Sequence, residues 1–492
     1  MLTFLAWSPV LLLFILAVFF RRSALELSIA GMAWTVSVAV IVFDTPLNTV
    51  VLSALDGLLV TLPLLLVVYG GILLASVLID SGSLARLANW FSGAVRGEWG
   101  RLSLLALGLG NSLEGAGIIA EPVAAPMLRA SGLAPQAAAA LSIIGYSGLM
   151  TLGLGGVIIT VLAAVTGLEA GVLAREVAIL SVPASVLMAW CLPFFAGKDG
   201  FKPGRMVYLT VIGLIPGFAA WGGVIWLGHQ VGELTGGVVL TLVLVLPGIR
   251  RLKVTGEVVR DALPLVVMGL GIVTVNALPG IREIVRENLA LGVSVIPGRV
   301  IHFRPLSDAY LYLFAAFTLA HFLHQRGQSL LGSLRSGTVK GWRAILSMAL
   351  FAAMGQVLSF TGSDLVSGPA INQVGNIPRI VAESLEVFGP VYPVLVPFLG
   401  WVGTFLTGYG VASIMLFAAL QMGIAAKLGY SPVLFVSALA VGASIGGISS
   451  PFKVAFAASM CGAAGEEGEI LRKTIPLGMA ACLLLGVFLL FM

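Results

Sequence analysis

The chain has 492 residues, of which 59% are hydrophobic and 10% charged, with a net charge of +5 and a mean hydropathy of +1.07. This composition excludes a soluble globular domain and calls for repeated apolar runs of about 20 residues that cross a bilayer. The small positive charge lies mostly in loops and reflects topology rather than nucleic-acid binding. Cys191, Cys461 and Cys482 fall in apolar segments, with neither zinc spacing nor a disulfide framework.

Residues 2–20 are apolar and precede Arg21-Arg22. A cleaved signal peptide carries its basic residues before the apolar run, so this stretch is expected to remain as a first span with its N-terminus outside. Spans over 25–43 and 57–79 follow. The link after the first span carries Arg21 and Arg22 and is assigned to the cytoplasm by the positive-inside bias. Residues 44–56 carry no Lys or Arg and are assigned outside. Residues 80–101 carry Arg86, Arg96 and Arg101 and are assigned inside.

The next stretch, 102–133, reads LSLLALGLGNSLEGAGIIAEPVAAPMLRASGL. It is glycine-rich, holds Glu114 and Glu121, and is punctuated by Pro122 and Pro126. Backbone leaves helical geometry at membrane depth only where it is buried in protein or lines a cavity. An intramembrane carboxylate marks a functional site by default, and interrupted apolar segments point to a transporter's binding site. A second glycine break, SGLMTLGLGGVIIT, lies within a region of small residues over 134–167, where helices can approach closely. A span over 177–195 ends at Lys198, Lys202 and Arg205. Spans over 206–227 and 235–249 lead to the basic loop of Arg250, Arg251, Lys253 and Arg260.

The pattern then restarts. Spans over 262–278, 309–323 and 342–360 precede a second broken stretch, PFLGWVGTFLTGYGVASIMLFAALQMGIAAKL (397–428). Here Thr407-Gly408-Tyr409-Gly410 aligns with Glu114-Gly115-Ala116-Gly117, and Gly403 with Gly110. Downstream, Ser431-Pro432 falls near Ala134-Pro135, and MCGAAGEEGEILRK (460–473) echoes VTGLEAGVLARE (165–176). The link 325–343 carries Arg326, Arg335, Lys340 and Arg343 and is assigned inside, while 362–389 is assigned outside. The loop 279–308 is also assigned outside. It carries Arg282, Arg286, Arg299 and Arg304, only partly offset by Glu283, Glu287 and Asp308. The expected fold is an all-α polytopic membrane protein. It would have about 12–14 transmembrane segments in two inverted-topology repeats, with broken helices at the midplane. The repeats would cover 1–197 (broken over 102–167) and 261–492 (broken over 397–464), with 198–260 supplying two linking spans.

LEGAG followed by PVA, then PFLGWVGTFLTG, LGYSPVL, Ser450-Pro451 and GEEGEILR, resembles the L-lactate permease family from the first span to the last. The resemblance implies a multi-pass permease of the bacterial inner membrane that takes up lactate, glycolate or a similar 2-hydroxy monocarboxylate with protons. Three places depart from the family pattern: Ile118-Ile119-Ala120-Glu121-Pro122, Tyr409-Gly410-Val411-Ala412-Ser413, and Phe452-Lys453. The alternative is a carrier or channel for another small organic anion, such as a sulfonate or a longer carboxylate, with sodium as coupling ion.

A small carboxylate needs a dehydrated site of positive potential, which helix N-termini at a break supply. Gly115, Gly117, Gly408 and Gly410 would admit close backbone approach. Asn111, Ser112, Thr404, Thr407 and Ser413 are candidate donors. Lys453, in an otherwise apolar run, either binds the substrate carboxylate or pairs with Glu121. Glu114 is the first candidate for proton coupling, with Glu121 the second: a proton bound there would travel with the anion and offset its charge. Arg129 sits near a span end and could snorkel to the interface. His321 and His324 share a helical face without a metal set around them. No nucleophile–base constellation and no Walker-type glycine loop is evident, so neither enzyme chemistry nor ATP coupling is expected, and no cofactor.

Overall fold

A computed structural model describes residues 2–20, 22–285, 289–325, 327, 329–366, 368–371 and 375–492. Arg21, Arg286, Glu287 and Arg326, used above for loop charge, lie outside the described residues. Among those described, eleven helices are long and apolar enough to cross a membrane, and four more apolar helices are shorter. This is the all-α polytopic fold that the hydropathy pattern predicts.

The first half opens with α1 (Leu2–Val18), α2 (Ala24–Ile41) and the long α3 (Leu47–Asp80). At 34 residues, α3 runs about 50 Å and so spans the whole layer. After α4 (Ser83–Ala94), the chain forms α5 (Glu98–Ser103) and α6 (Gly110–Gly115), joined without a break by a π-wound stretch, Leu104–Leu109. It stops there and resumes as α7 (Glu121–Ala130). α8 (Pro135–Ser147) stops in turn, and α9 (Val157–Thr166) continues after a break. α10 (Ala170–Cys191) and the short α11 (Pro193–Ala196) close this half. The middle segment gives α12 (Pro203–Trp226) and α13 (Gly232–Val245).

The second half begins with α14 (Gly256–Ala277) and α15 (Pro279–Glu283). A small antiparallel pair, β1 (Leu291–Val293) and β2 (Ile301–Phe303), leads to α16 (Ala309–His324) and α17 (Leu330–Ser359). A second pair, β3 (Ser363–Asp364) and β4 (Gly368–Ile371), and α18 (Ile377–Leu385) follow. The second broken region consists of α19 (Tyr392–Thr407), α20 (Gly410–Leu428), α21 (Pro432–Gly446) and α22 (Pro451–Cys461). α23 (Glu467–Leu489) ends the chain described.

The order helix, break, helix, helix, break, helix, long helix thus occurs twice, over α5–α10 and α19–α23. Contacts between the halves are exchanged in the same way. α7 packs on α22 as α20 packs on α9, and α10 packs on α21 as α23 packs on α8. Helices α8 and α21 lie at the centre. Residues 137–147 and 435–446 are buried without interruption, as expected of helices apolar all round. α3, α16, α17 and α2 pack together as a flank beside this centre.

Polar contacts group the connections into two faces. On one, Arg86 chelates Asp261, Ser83 donates to the same carboxylate, Trp90 donates to Lys253 O, and the Arg205 guanidinium lies 4.9 Å from the centre of the Trp99 ring. On the other, beyond the far end of α3, Arg299 lies 3.3 Å from Asp56, and the Gly362 and Leu365 amides donate to Thr45 and Thr49. The basic loop 279–308 therefore shares a face with residues 44–56, where part of its charge meets the buried Asp56.

Both legs of the α5–α7 hairpin end on the first face, where Glu98, Arg101, Ser131 and Leu133 line one small crevice. Both legs of the α19–α20 hairpin end on the second, where Lys427 lies 3.5 Å from Glu383.

Candidate functional site

Each hairpin turns at a glycine held in left-handed backbone: Gly117 (φ +86°) at the first tip and Gly408 (φ +87°) at the second. A side chain at either position would be strained. Beyond the tips, α8 and α21 break at 148–156 and 447–450. At the first of these, Leu154 is itself left-handed (φ +50°) beside Gly155 and Gly156. A non-glycine residue in that region costs of order 1 kcal/mol or more and persists only where the surroundings impose it.

The charged side chains converge where the first tip meets the break of α21–α22. Ser450 caps α22, its hydroxyl accepting from the Lys453 amide at 3.4 Å, and this places Lys453 in the first turn. Lys453 Nζ donates to Tyr146 Oη at 2.8 Å and lies 3.3 Å from Met150 Sδ. Tyr146 Oη in turn donates to Glu121 Oε1 at 2.6 Å. Lysine and carboxylate are therefore joined through a phenol. Tyr146 is fully buried and Glu121 nearly so, and Glu121 Oε2 has no partner. Glu114, across the tip, accepts the Ala120 amide at 3.3 Å and is buried as well.

A third carboxylate enters this centre from α13. Glu233 is completely buried, and neither of its oxygens has a hydrogen-bond partner. Its backbone packs on Gly115, and its Oε2 occupies the space that a β-carbon on Gly153 would need.

Asn111 and Thr404 flank the relay. The alignment that sets Glu114 on Thr407 sets one on the other. Asn111 Nδ2 donates to Gly145 O at 2.9 Å, next to Tyr146, and Asn111 Oδ1 is buried without a partner. Thr404 packs on Gly446, beside the Gly447 that faces the Lys453 side chain, and its Oγ1 is likewise buried without a partner.

The other candidates are occupied locally. Ser112 donates to Gly108 O, Thr407 to Gly403 O and Ser413 to Gly400 O, each at 2.7–2.8 Å. Gly115 packs on the backbone of Leu234, and Gly410 lies near Met150 Cε. Arg129 stays at the first face, donating to Leu133 O. His324 lies 3.7 Å from Asp261, and His321 bonds Ser333, both far from the tips.

Sequence reasoning missed Tyr146, Met150 and Glu233. Nothing marks Tyr146 beyond its place just before a glycine break. Glu233 carries a usable signal: a span over 235–249 starts two residues too late to count it as an intramembrane carboxylate, whereas α13 begins at Gly232.

The profile of a family described as L-lactate permease matches residues 3–492. Similar curated proteins include the L-lactate permease of Halalkalibacterium halodurans, 22% identical, covering 99% of this chain and 95% of the relative. The L-lactate permease of Escherichia coli K12 is 24% identical, covering 98% and 95%. A glycolate permease of the same organism is 28% identical over a shorter region, 38% of this chain and 31% of the relative.

Proposed function

Because the chain belongs to the L-lactate permease family, we propose that it carries a 2-hydroxy monocarboxylate of the lactate or glycolate type across the bacterial plasma membrane, in symport with protons. The family makes it a multi-pass transporter rather than an enzyme. The observation that carries the substrate reading is the Lys453–Tyr146–Glu121 relay, which puts a half-buried cation where two broken regions meet.

Tyr146 links Lys453 to Glu121. An arriving carboxylate competes for the ammonium, and it wins where Glu121 takes a proton and no longer needs the positive charge. Glu114, one tip-width away, is the second place for a proton. Burying an anion beside unneutralised carboxylates is costly, so anion and proton enter together. Asn111 and Thr404 each keep a free buried oxygen at matching positions. These suit the substrate's 2-hydroxyl, which a site lacking acceptors could not recognise.

The two hairpins start from opposite faces of the molecule, and this supports an inverted repeat with its axis through α8 and α21. Inverted repeats place the substrate near the midplane and let either face open to it.

Counterflow of labelled L-lactate and glycolate in proteoliposomes tests the reading. Saturable exchange of at least one acid, with accumulation driven by an inward proton gradient, is the expected result. Exchange of neither acid by monodisperse protein would overturn the substrate assignment. Accumulation that follows sodium instead would overturn the coupling ion.

A further inference from the structure

We propose that Glu233, on a helix outside both broken regions, is a proton-carrying residue of the transport cycle. The inference rests on the symport reading above and adds a residue to it.

The side chain is fully buried, yet neither oxygen is hydrogen-bonded. It stands in the first turn of α13, where a carboxylate often caps the free amides, but it accepts none of them. An unpartnered buried carboxylate is among the most costly groups a protein can hold, unless a proton or a nearby cation cancels its charge.

The titratable groups coupled to it electrostatically come from three other elements: Glu114 on α6, Tyr146 on α8 and Lys453 on α22. On its own approach stands His229, one turn earlier. The adjoining end of α12 and the 150–152 turn contribute no charge.

Position gives the residue a means of coupling. Its backbone abuts Gly115 at the first hairpin, and its Oε2 rests on Gly153 in the break of α8–α9. One residue thus touches both interruptions of the first half, the first by its backbone and the second by its carboxyl. Lys453 acts electrostatically on Glu114 and Glu233 and is joined to Glu121 through Tyr146, so three carboxyls share one ammonium. With two carboxyls protonated, the empty site is neutral. When a monoanion takes the lysine, neutrality needs one more proton, on the third carboxyl. Glu233 supplies the site for that exchange alongside Glu114 and Glu121.

The test uses full-length protein and Glu233→Gln, which keeps size and polarity but carries no exchangeable acid proton. Exchange by counterflow should continue, while uphill accumulation driven by a pH gradient should fall by about tenfold or more, the usual size of a coupling term. Without any substrate, the infrared difference spectrum between low and high pH should lose a protonated-carboxyl C=O component. Wild-type accumulation by the variant, or an unchanged carboxyl difference spectrum, would overturn the proposal. So would loss of counterflow together with accumulation in monodisperse protein, because that would place Glu233 in substrate binding. Should wild-type protein exchange neither acid, the substrate reading has failed, and the substrate-free spectrum still decides the role of Glu233.

Discussion

Replacing Lys453 by Met separates its two roles. Methionine preserves the unbranched stem that runs past Gly447 and keeps contact with Met150, but removes the ammonium that reaches Tyr146 Oη at 2.8 Å. If the substrate carboxylate takes that ammonium, the variant loses a charge-assisted hydrogen bond worth about 1.5–3 kcal/mol. At about 1.4 kcal/mol per decade, KM for the transported acid rises about 10- to 150-fold. The Tyr146–Glu121 bond needs no lysine, so the hairpin tip keeps its place and the protein remains folded. The assay is initial-rate counterflow over a range of internal and external acid, with ligand-induced thermal stabilisation of the purified protein as an independent measure of binding. Lys453→Arg retains the charge and should fall between the two. A KM within about threefold of wild type, less than the smallest loss expected for a charged hydrogen bond, would refute the reasoning. Lys453 would then serve only to hold Tyr146.

Three further outcomes follow from the geometry. Tyr146→Phe removes the hydroxyl that joins Lys453 to Glu121; the pH profile of uptake should shift while the protein stays folded, and an unmoved profile would count against the relay. Gly145→Ala drives a methyl group into the Ala106 carbonyl; overpacking of this kind costs about 1–3 kcal/mol, read as a lower Tm in detergent, and an unchanged Tm would contradict the contact. Asp261→Asn breaks the two-point Arg86 pair at the first face. Asp261 is fully buried but the Arg86 side chain is 40% exposed, so the loss should be nearer about 1–3 kcal/mol than the full penalty of a buried pair, again read as Tm.

The spans were legible because lipid demands length and apolarity, and both can be counted in a string of residues. The first break was legible because glycine and proline beside carboxylates contradict a membrane helix, and the second through its alignment with the first. Loop charge placed 279–308 on one face only against its own arginines. The structure supplies the reason in Arg299, which reaches the buried Asp56. That contact joins positions far apart in sequence, and no local pattern announces it. The same holds at the centre. Glu114, Glu121 and Lys453 were found as charges out of place. Tyr146 was not, because a tyrosine in an apolar helix is ordinary until its neighbours are known. Side-chain hydroxyls are a different case: Ser112, Thr407 and Ser413 look free in sequence, but each donates to a carbonyl of its own helix or the adjoining hairpin leg. Such back-bonding is the default for serine and threonine in membrane helices.

Each hairpin meets the broken helix beside it, at one point, main chain on main chain. Gly145 rests on the Ala106 carbonyl, and Gly442 rests on the Pro397 carbonyl. Interlocked side chains act as teeth: to slide, they must first disengage. At these two points there are no teeth. The contacts cannot be thickened by a single methyl group, and no side chain there has to disengage before one backbone moves past the other. A bearing has that pair of properties, tight clearance and free travel, and here it lies beside the only cation found among the described residues of the central relay.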